Sequence, residues 1–218
     1  MAIKLLIFDL DGTLVDSAVD IAAALNYAAA PYNTGAVGLD ETIELVGEGV
    51  TKLIDKLITR RRINATVPQL LTRFLDYYAA HLLDATRPYP GAAETLAALP
   101  DCTKIVISNK VESFSRAILE GLGLMHHFAS VQGGDTVAEK KPSPLPVLDA
   151  LARFHTPATD ALLIGDSIYD MTAGRAAHVR TVAALYGYGS PGFAEKADFR
   201  IGAIGELVQV VANADAAS

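Results

Sequence analysis

Four short polar clusters hold the residue types that could do chemistry: Asp9-Leu10-Asp11-Gly12-Thr13, Ser108-Asn109-Lys110, Lys140-Lys141-Pro142 and Gly165-Asp166-Ser167-Ile168-Tyr169-Asp170. Carboxylates can attack, carry a proton or hold a hard cation, while lysine and hydroxyl groups can receive an anion. Each cluster alone has an ordinary explanation, because Asp-Gly is common turn chemistry and Asp166-Ser167 could simply cap a helix. Their joint placement is what carries weight. Each follows an apolar run or opens the helix after it, and in open α/β sheets reactive groups gather beyond the carboxyl ends of the strands.

The elements that must position these clusters can be read from hydrophobic pattern. Residues 3–8, 104–107, 129–131, 161–164 and 181–185 are short, continuously apolar runs, as expected for strands covered on both faces. Helical patterns at residues 92–99, 112–122, 144–154, 171–177 and 204–213 alternate with them. That alternation predicts an α/β fold, a Rossmann-like parallel sheet core with helices on both faces. One stretch breaks the rhythm. Residues 17–86 show only helical segments, at 18–30, 41–62 and 68–83, and are too long for a plain connection. They are expected to form an inserted all-α cap domain on a core of residues 1–16 and 87–218. Linkers are expected near residues 14–16 and 86–91, with a frayed tail at 214–218.

With these residues in view, the chain resembles a known family. Asp9-Leu-Asp-Gly-Thr-Leu-Val-Asp-Ser17 is similar to the opening signature of the haloacid-dehalogenase superfamily phosphatases. Ser108-Asn109, Lys141-Pro142 and Gly165-Asp166-Ser167-x-x-Asp170 resemble that family's later motifs, in the same order. The resemblance runs from residue 3 to about 190, and the helical insert resembles the family's small cap. Ser108-Asn109-Lys110 and Tyr186-Gly-Tyr-Gly189 look most like its phosphoglycolate phosphatase branch. His178 departs from the pattern, standing where the family usually has a glycine.

The resemblance implies a Mg2+-dependent phosphatase for a small phosphate monoester, with 2-phosphoglycolate leading. Asp9 would be the nucleophile, forming an aspartyl-phosphate, and Asp11 the general acid and base in a partly buried setting. Gly12 would allow the turn between them, and Thr13 would support the loop at the substrate-binding end. Ser108 and the amides of Leu10 and Asn109 would receive phosphate oxygens. Lys141, or alternatively Lys140, would neutralise nucleophile and phosphate together. Asp166 would hold Mg2+ with Asp9 and the main-chain carbonyl of Asp11, and Asp170 would support that site from behind. An all-oxygen set of this kind does not suit zinc. Like unit charges at 4 Å repel by roughly 4 kcal/mol at an effective dielectric of 20, so carboxylates alone would reject a phosphate dianion. A cation and a fixed positive side chain are required.

Other features leave more than one reading. Lys110 could face the substrate's organic part or be an ordinary solvated lysine. Leu45-Val-Gly-Glu-Gly-Val50 could lower Gly47 and Glu48 over the site, or its glycines could mark a helix kink. Arg60-Arg61-Arg62 reads as a solvated helix end. None of His81, His126, His127, His155 or His178 falls into a metal-binding spacing. A sugar-phosphate mutase shares Asp9 and Asp11, and a catalytically inactive binding protein is the alternative of another class.

Composition bounds the rest. A net charge of −7 argues against nucleic acid as a partner, and no apolar stretch approaches the length of a membrane helix. Cys102 is the single cysteine, which excludes an internal disulfide and fits a reducing, cytoplasmic setting. A monomer or homodimer is expected.

Overall fold

The computed structural model describes residues 2–190 and 192–216. Six parallel strands form the main sheet: β1 (Leu5–Phe8), β4 (Thr103–Ile107), β5 (Ser130–Gln132), β6 (Ala161–Gly165), β7 (Arg180–Ala184) and β8 (Phe199–Ile201). Their spatial order is β5-β4-β1-β6-β7-β8. β2 (Val15–Asp16) and β3 (Arg87–Pro88) make a separate antiparallel pair. Within β1 the side chains alternate between two apolar layers. Leu6 and Phe8 join one with Leu96, Ile118 and Leu207, while Leu5 and Ile7 join another with Val147, Leu151 and Ala173. Both faces of the strand are therefore covered, which is why it reads as continuously apolar rather than alternating.

Register sets the site. Phe8 lies opposite Val106 on one side and Ile164 on the other. The strands β1, β4 and β6 thus end nearly level, and Asp9, Ser108 and Asp166 emerge at one edge of the sheet.

The core helices are α5 (Ala92–Ala97), α6 (Glu112–Gly121), α7 (Leu145–Arg153), α8 (Ile168–Ala176) and α9 (Leu207–Ala216). Between β2 and β3 the chain is helical: α1 (Ala18–Ala29), α2 (Leu39–Leu45), α3 (Val50–Arg61) and α4 (Val67–Ala80). The stems of this insert pair with each other, Val15 opposite Pro88 and Asp16 opposite Arg87. Buried Asp20, in the first turn of α1, accepts the amides of Ala85 and Thr86 and the Thr86 hydroxyl at 2.7–3.0 Å. One carboxylate therefore ties the returning chain to the outgoing one.

Several expectations need correcting. Residues 41–62 are not one helix. Gly47 and Gly49 sit at φ 123° and 85°, outside the range a helix allows, so α2 and α3 are separated by a loop. The edge strand β8 was not expected, because three residues with an exposed arginine in the middle carry no apolar run. The pairing of β2 with β3 was not expected either, since the two stems are far apart in sequence and only two residues each. The Arg60–Arg62 cluster is more than a solvated helix end. Arg60 pairs with Glu44 at 2.7 Å, and Arg61 pairs with Glu41 and donates to the carbonyls of Thr34 and Ala36, so both arginines clamp α3 to the segment before it. Helix α9 continues through the first residues of the supposed frayed tail, whose last two, 217 and 218, lie outside the described residues. His178 does adopt positive φ, at 59°. Among the described residues, no helix is long and apolar enough to cross a membrane.

Candidate active site

Asp9 follows β1, and its own Oδ1 accepts the Leu10 amide at 2.7 Å. The same oxygen lies 3.0 Å from Lys141 Nζ, which also donates to Asp170 Oδ1 at 2.6 Å. The Lys141 side chain is only 1% exposed and that of Asp170 is fully buried, so this ammonium is fixed between two carboxylates. Of the two neighbouring lysines, Lys141 is the one paired with Asp9. Asp170 stands in the first turn of α8, where its Oδ2 accepts the Ser167 amide at 3.1 Å and the Ser167 hydroxyl at 2.5 Å. A capped helix start thereby holds the residue that holds the lysine.

Asp166, just past β6, accepts the Tyr188 amide at 2.7 Å and the Thr13 hydroxyl at 3.2 Å. Thr13 is wholly buried and spends its hydroxyl on this carboxylate. Oxygens of Asp9, Asp166 and Asp170 all come within 4.8 Å of one another. Burial raises the Asp9 carboxyl to about 6, with Asp170 adding to it and Lys141 opposing. Burial, then the charges of Asp170 and Asp9, push Asp166 well above the usual carboxylate range. For Lys141 burial works against the charge, but Asp170 and Asp9 outweigh it and hold the ammonium above its ordinary range. Negative charge here exceeds what one lysine offsets. Three converging hard oxygens suit a divalent cation such as Mg2+, and with one bound the carboxylates would be held ionised.

Asp11 leaves this cluster. Gly12 turns the chain at φ 81°, where an L side chain would be strained and would run into the Asp166 carboxylate. The Asp11 carboxylate then meets Lys110 Nζ at 3.0 and 3.1 Å and accepts the Ser17 hydroxyl at 2.5 Å. Lys110 is not a solvated lysine. Its side chain is 8% exposed, and its ammonium lies 4.7 Å from the centroid of the Tyr78 ring. Burial opposes its charge, yet Asp11 and then Tyr78 keep it protonated above its usual range. Ser108 is buried at the cavity wall, and its Oγ accepts the Lys110 amide at 3.3 Å.

The loop Tyr186-Gly-Tyr-Gly189, to which sequence alone assigns no role, braces Thr13 and Asp166 from behind. Tyr186 donates to the Thr13 carbonyl at 2.9 Å. Tyr188 accepts the Ser17 and Ala18 amides and donates to Asp16 at 2.7 Å. Any side chain at Gly187 would collide with the Gly12 carbonyl and Asp166, so glycine is required for this approach. The repeated Tyr-Gly was the only sequence signal available.

The insert closes over these groups through the loop between α2 and α3. Asn109 Nδ2 donates to the Gly47 carbonyl at 2.7 Å and to the Lys141 carbonyl at 2.9 Å. Tyr169 donates to Glu48 at 2.8 Å, and Lys56 pairs with the same carboxylate at 2.5 Å. Lys56 and Tyr169 hold Glu48 ionised below the usual glutamate range. Gly47 lines the cavity beneath, while Glu48 is spent on this tie. The cavity has a volume of about 630 Å³ and reaches from Asp9, Asp11 and Asp166 to the apolar faces of the insert.

A parallel sheet with its acidic residues at the strand ends and a helical insert above them defines a class, and the chain belongs to it. The sequence pattern of the haloacid dehalogenase-like hydrolases matches residues 6–184, so this protein is a member of that family. Among named proteins it is related to the phosphoglycolate phosphatase of Chromobacterium violaceum, 37% identical over 219 residues that cover 97% of each chain. It is also 37% identical over 189 residues to the phosphoglycolate phosphatase of Agrobacterium fabrum, covering 84% of this chain and 81% of the relative. The crystal structure of a predicted phosphoglycolate phosphatase from Haemophilus somnus superposes with a TM-score of 0.89 at 28% identity, over 95% of this chain and 97% of that one.

Proposed function

We propose that this hydrolase is a Mg2+-dependent phosphatase of small phosphate monoesters, with 2-phosphoglycolate as its leading substrate. The observation that carries this reading is Asp9 itself. It is a carboxylate gripped by a buried lysine at the meeting point of three acidic side chains, with a second carboxylate two residues on, turned away toward its own lysine. In the first step an Asp9 oxygen bonds to phosphorus as the ester P–O bond breaks; Asp11, which must first exchange its pairing with Lys110 for a proton, passes that proton to the departing alcohol oxygen. In the second step water attacks the phosphorus of the aspartyl-phosphate, Asp11 takes the water's proton, and Asp9 leaves. Lys141 offsets the repulsion between Asp9 and the incoming dianion, which without it would keep them apart. Asp9, Asp166 and the Asp11 carbonyl would hold Mg2+, with Asp170 behind them; the ion would supply further charge neutralisation at the phosphoryl oxygens. Ser108 and the Asn109 amide border the space where those oxygens would lie, and Thr13 acts through Asp166. The phosphoglycolate reading draws on the names of the relatives. The single, buried Cys102 fits a cytoplasmic setting.

The test is inorganic phosphate release from a panel of phosphate esters with and without Mg2+. Asp9→Asn should lower kcat/KM by at least ~10³-fold while the far-ultraviolet spectrum stays native. Full activity in EDTA, or in Asp9→Asn, would remove the proposal.

A further inference from the structure

The two ends of the cavity differ in kind. Beyond Asp11 its walls are Ile21, Ile43, Val50, Leu53, Phe74 and Leu75 of the insert. The only charged residues that the insert contributes among the described lining residues are Asp40 and Glu44, both acidic. Lys110 is the one cation among the described lining residues, its ammonium already 3.0 Å from Asp11, and the Lys140 ammonium stands beside Gly49 at the cavity wall. The insert is hydrogen-bonded to the core by Asn109 and Tyr169, and with these contacts made the cavity still has a volume of about 630 Å³. That falls within the roughly 300–1,000 Å³ of pockets that enclose drug-sized ligands. A two-carbon acid would fill little of it. Its carboxylate would find one shared ammonium, and the remaining water would stay against apolar walls. An apolar alcohol would displace that water, and each methylene buried is worth about fourfold in binding.

We propose that the site takes, as a further substrate class, phosphate monoesters of alcohols with an aromatic or branched aliphatic body, lodged against α3 and α4. This rests on the phosphatase reading above and leaves the phosphoryl end unchanged: ester and water give the alcohol and inorganic phosphate.

The experiment compares kcat/KM for 2-phenylethyl phosphate and ethyl phosphate, two unactivated esters of the same chemistry, in Mg2+. The wild-type chain should favour the phenylethyl ester by at least about tenfold. Leu75→Glu, at a half-buried position on the cavity wall, should cut that preference to a third or less. A ratio near one, or a preference unchanged by Leu75→Glu, overturns the proposal. If no ester of any kind releases phosphate, the phosphatase reading falls by itself. The cavity assignment is then decided by calorimetry, where 2-phenylethylphosphonate must bind at least tenfold more tightly than ethylphosphonate; equal binding ends it.

Discussion

The floor and the roof of the cavity are built on opposite physical terms. On the floor nearly every ionised group has a named partner: Lys141 between Asp9 and Asp170, Lys110 on Asp11, and the Thr13 hydroxyl and Tyr188 amide on Asp166. On the roof the side chains of α3 and α4 present apolar surface with few directional contacts. Charges in a low-dielectric setting are costly unless paired, so the floor's geometry is over-determined and suits one kind of chemistry. Apolar burial is non-directional, so the roof can change its occupant without disturbing the floor. On the proposed function, this division would place reaction on the sheet and selection on the insert.

Three perturbations would break or sharpen this contrast. The largest is Lys141→Met, which strips the ammonium from Asp9 and Asp170 and leaves buried carboxylates facing one another. It should cost about 3–5 kcal/mol of stability by urea unfolding, with part recovered when Mg2+ is added. An unchanged midpoint would mean that the floor is not held by its ion pairs.

The second concerns pH. Burial raises the Asp9 carboxyl from 3.8 to about 6 in the folded chain, so the folded state binds this proton more tightly than the unfolded one. The stability this provides is complete below about 4 and is lost as pH climbs through about 6. Asp166 shifts in the same direction. Without Mg2+ the melting temperature should therefore fall across this window, and saturating Mg2+, which favours the ionised carboxylates, should flatten or reverse the fall. A melting curve equally pH-dependent with and without the ion would contradict an acidic cluster built to hold one.

The smallest is Tyr169→Phe, at the seam between the two regions. Removing the hydroxyl that reaches Glu48 should weaken closure by about 1 kcal/mol, seen as a severalfold rise in KM with kcat little changed. Kinetics identical to wild type would show that Asn109 holds the loop alone.

How much of this was legible beforehand varies with the range of the interaction involved. Asp9 and Asp166 could be found because Asp9 directly follows a continuously apolar run and Asp166 follows one after Gly165, and parallel pairing then levels the strand ends. The split between α2 and α3 was half-visible in Gly47 and Gly49, whose cost in a helix signals a break but not a loop hydrogen-bonded to Asn109. Lys110 looked as much like a solvated lysine as a site residue, because its burial depends on Asp11 and Tyr78, 99 and 32 positions away along the chain. Asp20 and Tyr188 carried no signal as braces, since a lone acid in a helix and a tyrosine in a loop are ordinary until the chain end they bind is known. The strand β8 escaped for a local reason, being three residues at an edge with Arg200 exposed.

Sequence alone determined the alternation of strands and helices, the place of the helical insert, and the acids standing at the strand ends. These follow from side-chain periodicity and chain connectivity, which act over a few residues at a time. Tertiary structure decided which lysine grips which acid, what braces Asp166, and that an apolar chamber stands over the charged floor. Those outcomes depend on distances between segments far apart in the chain, and such distances exist only once the sheet has paired and the insert has closed.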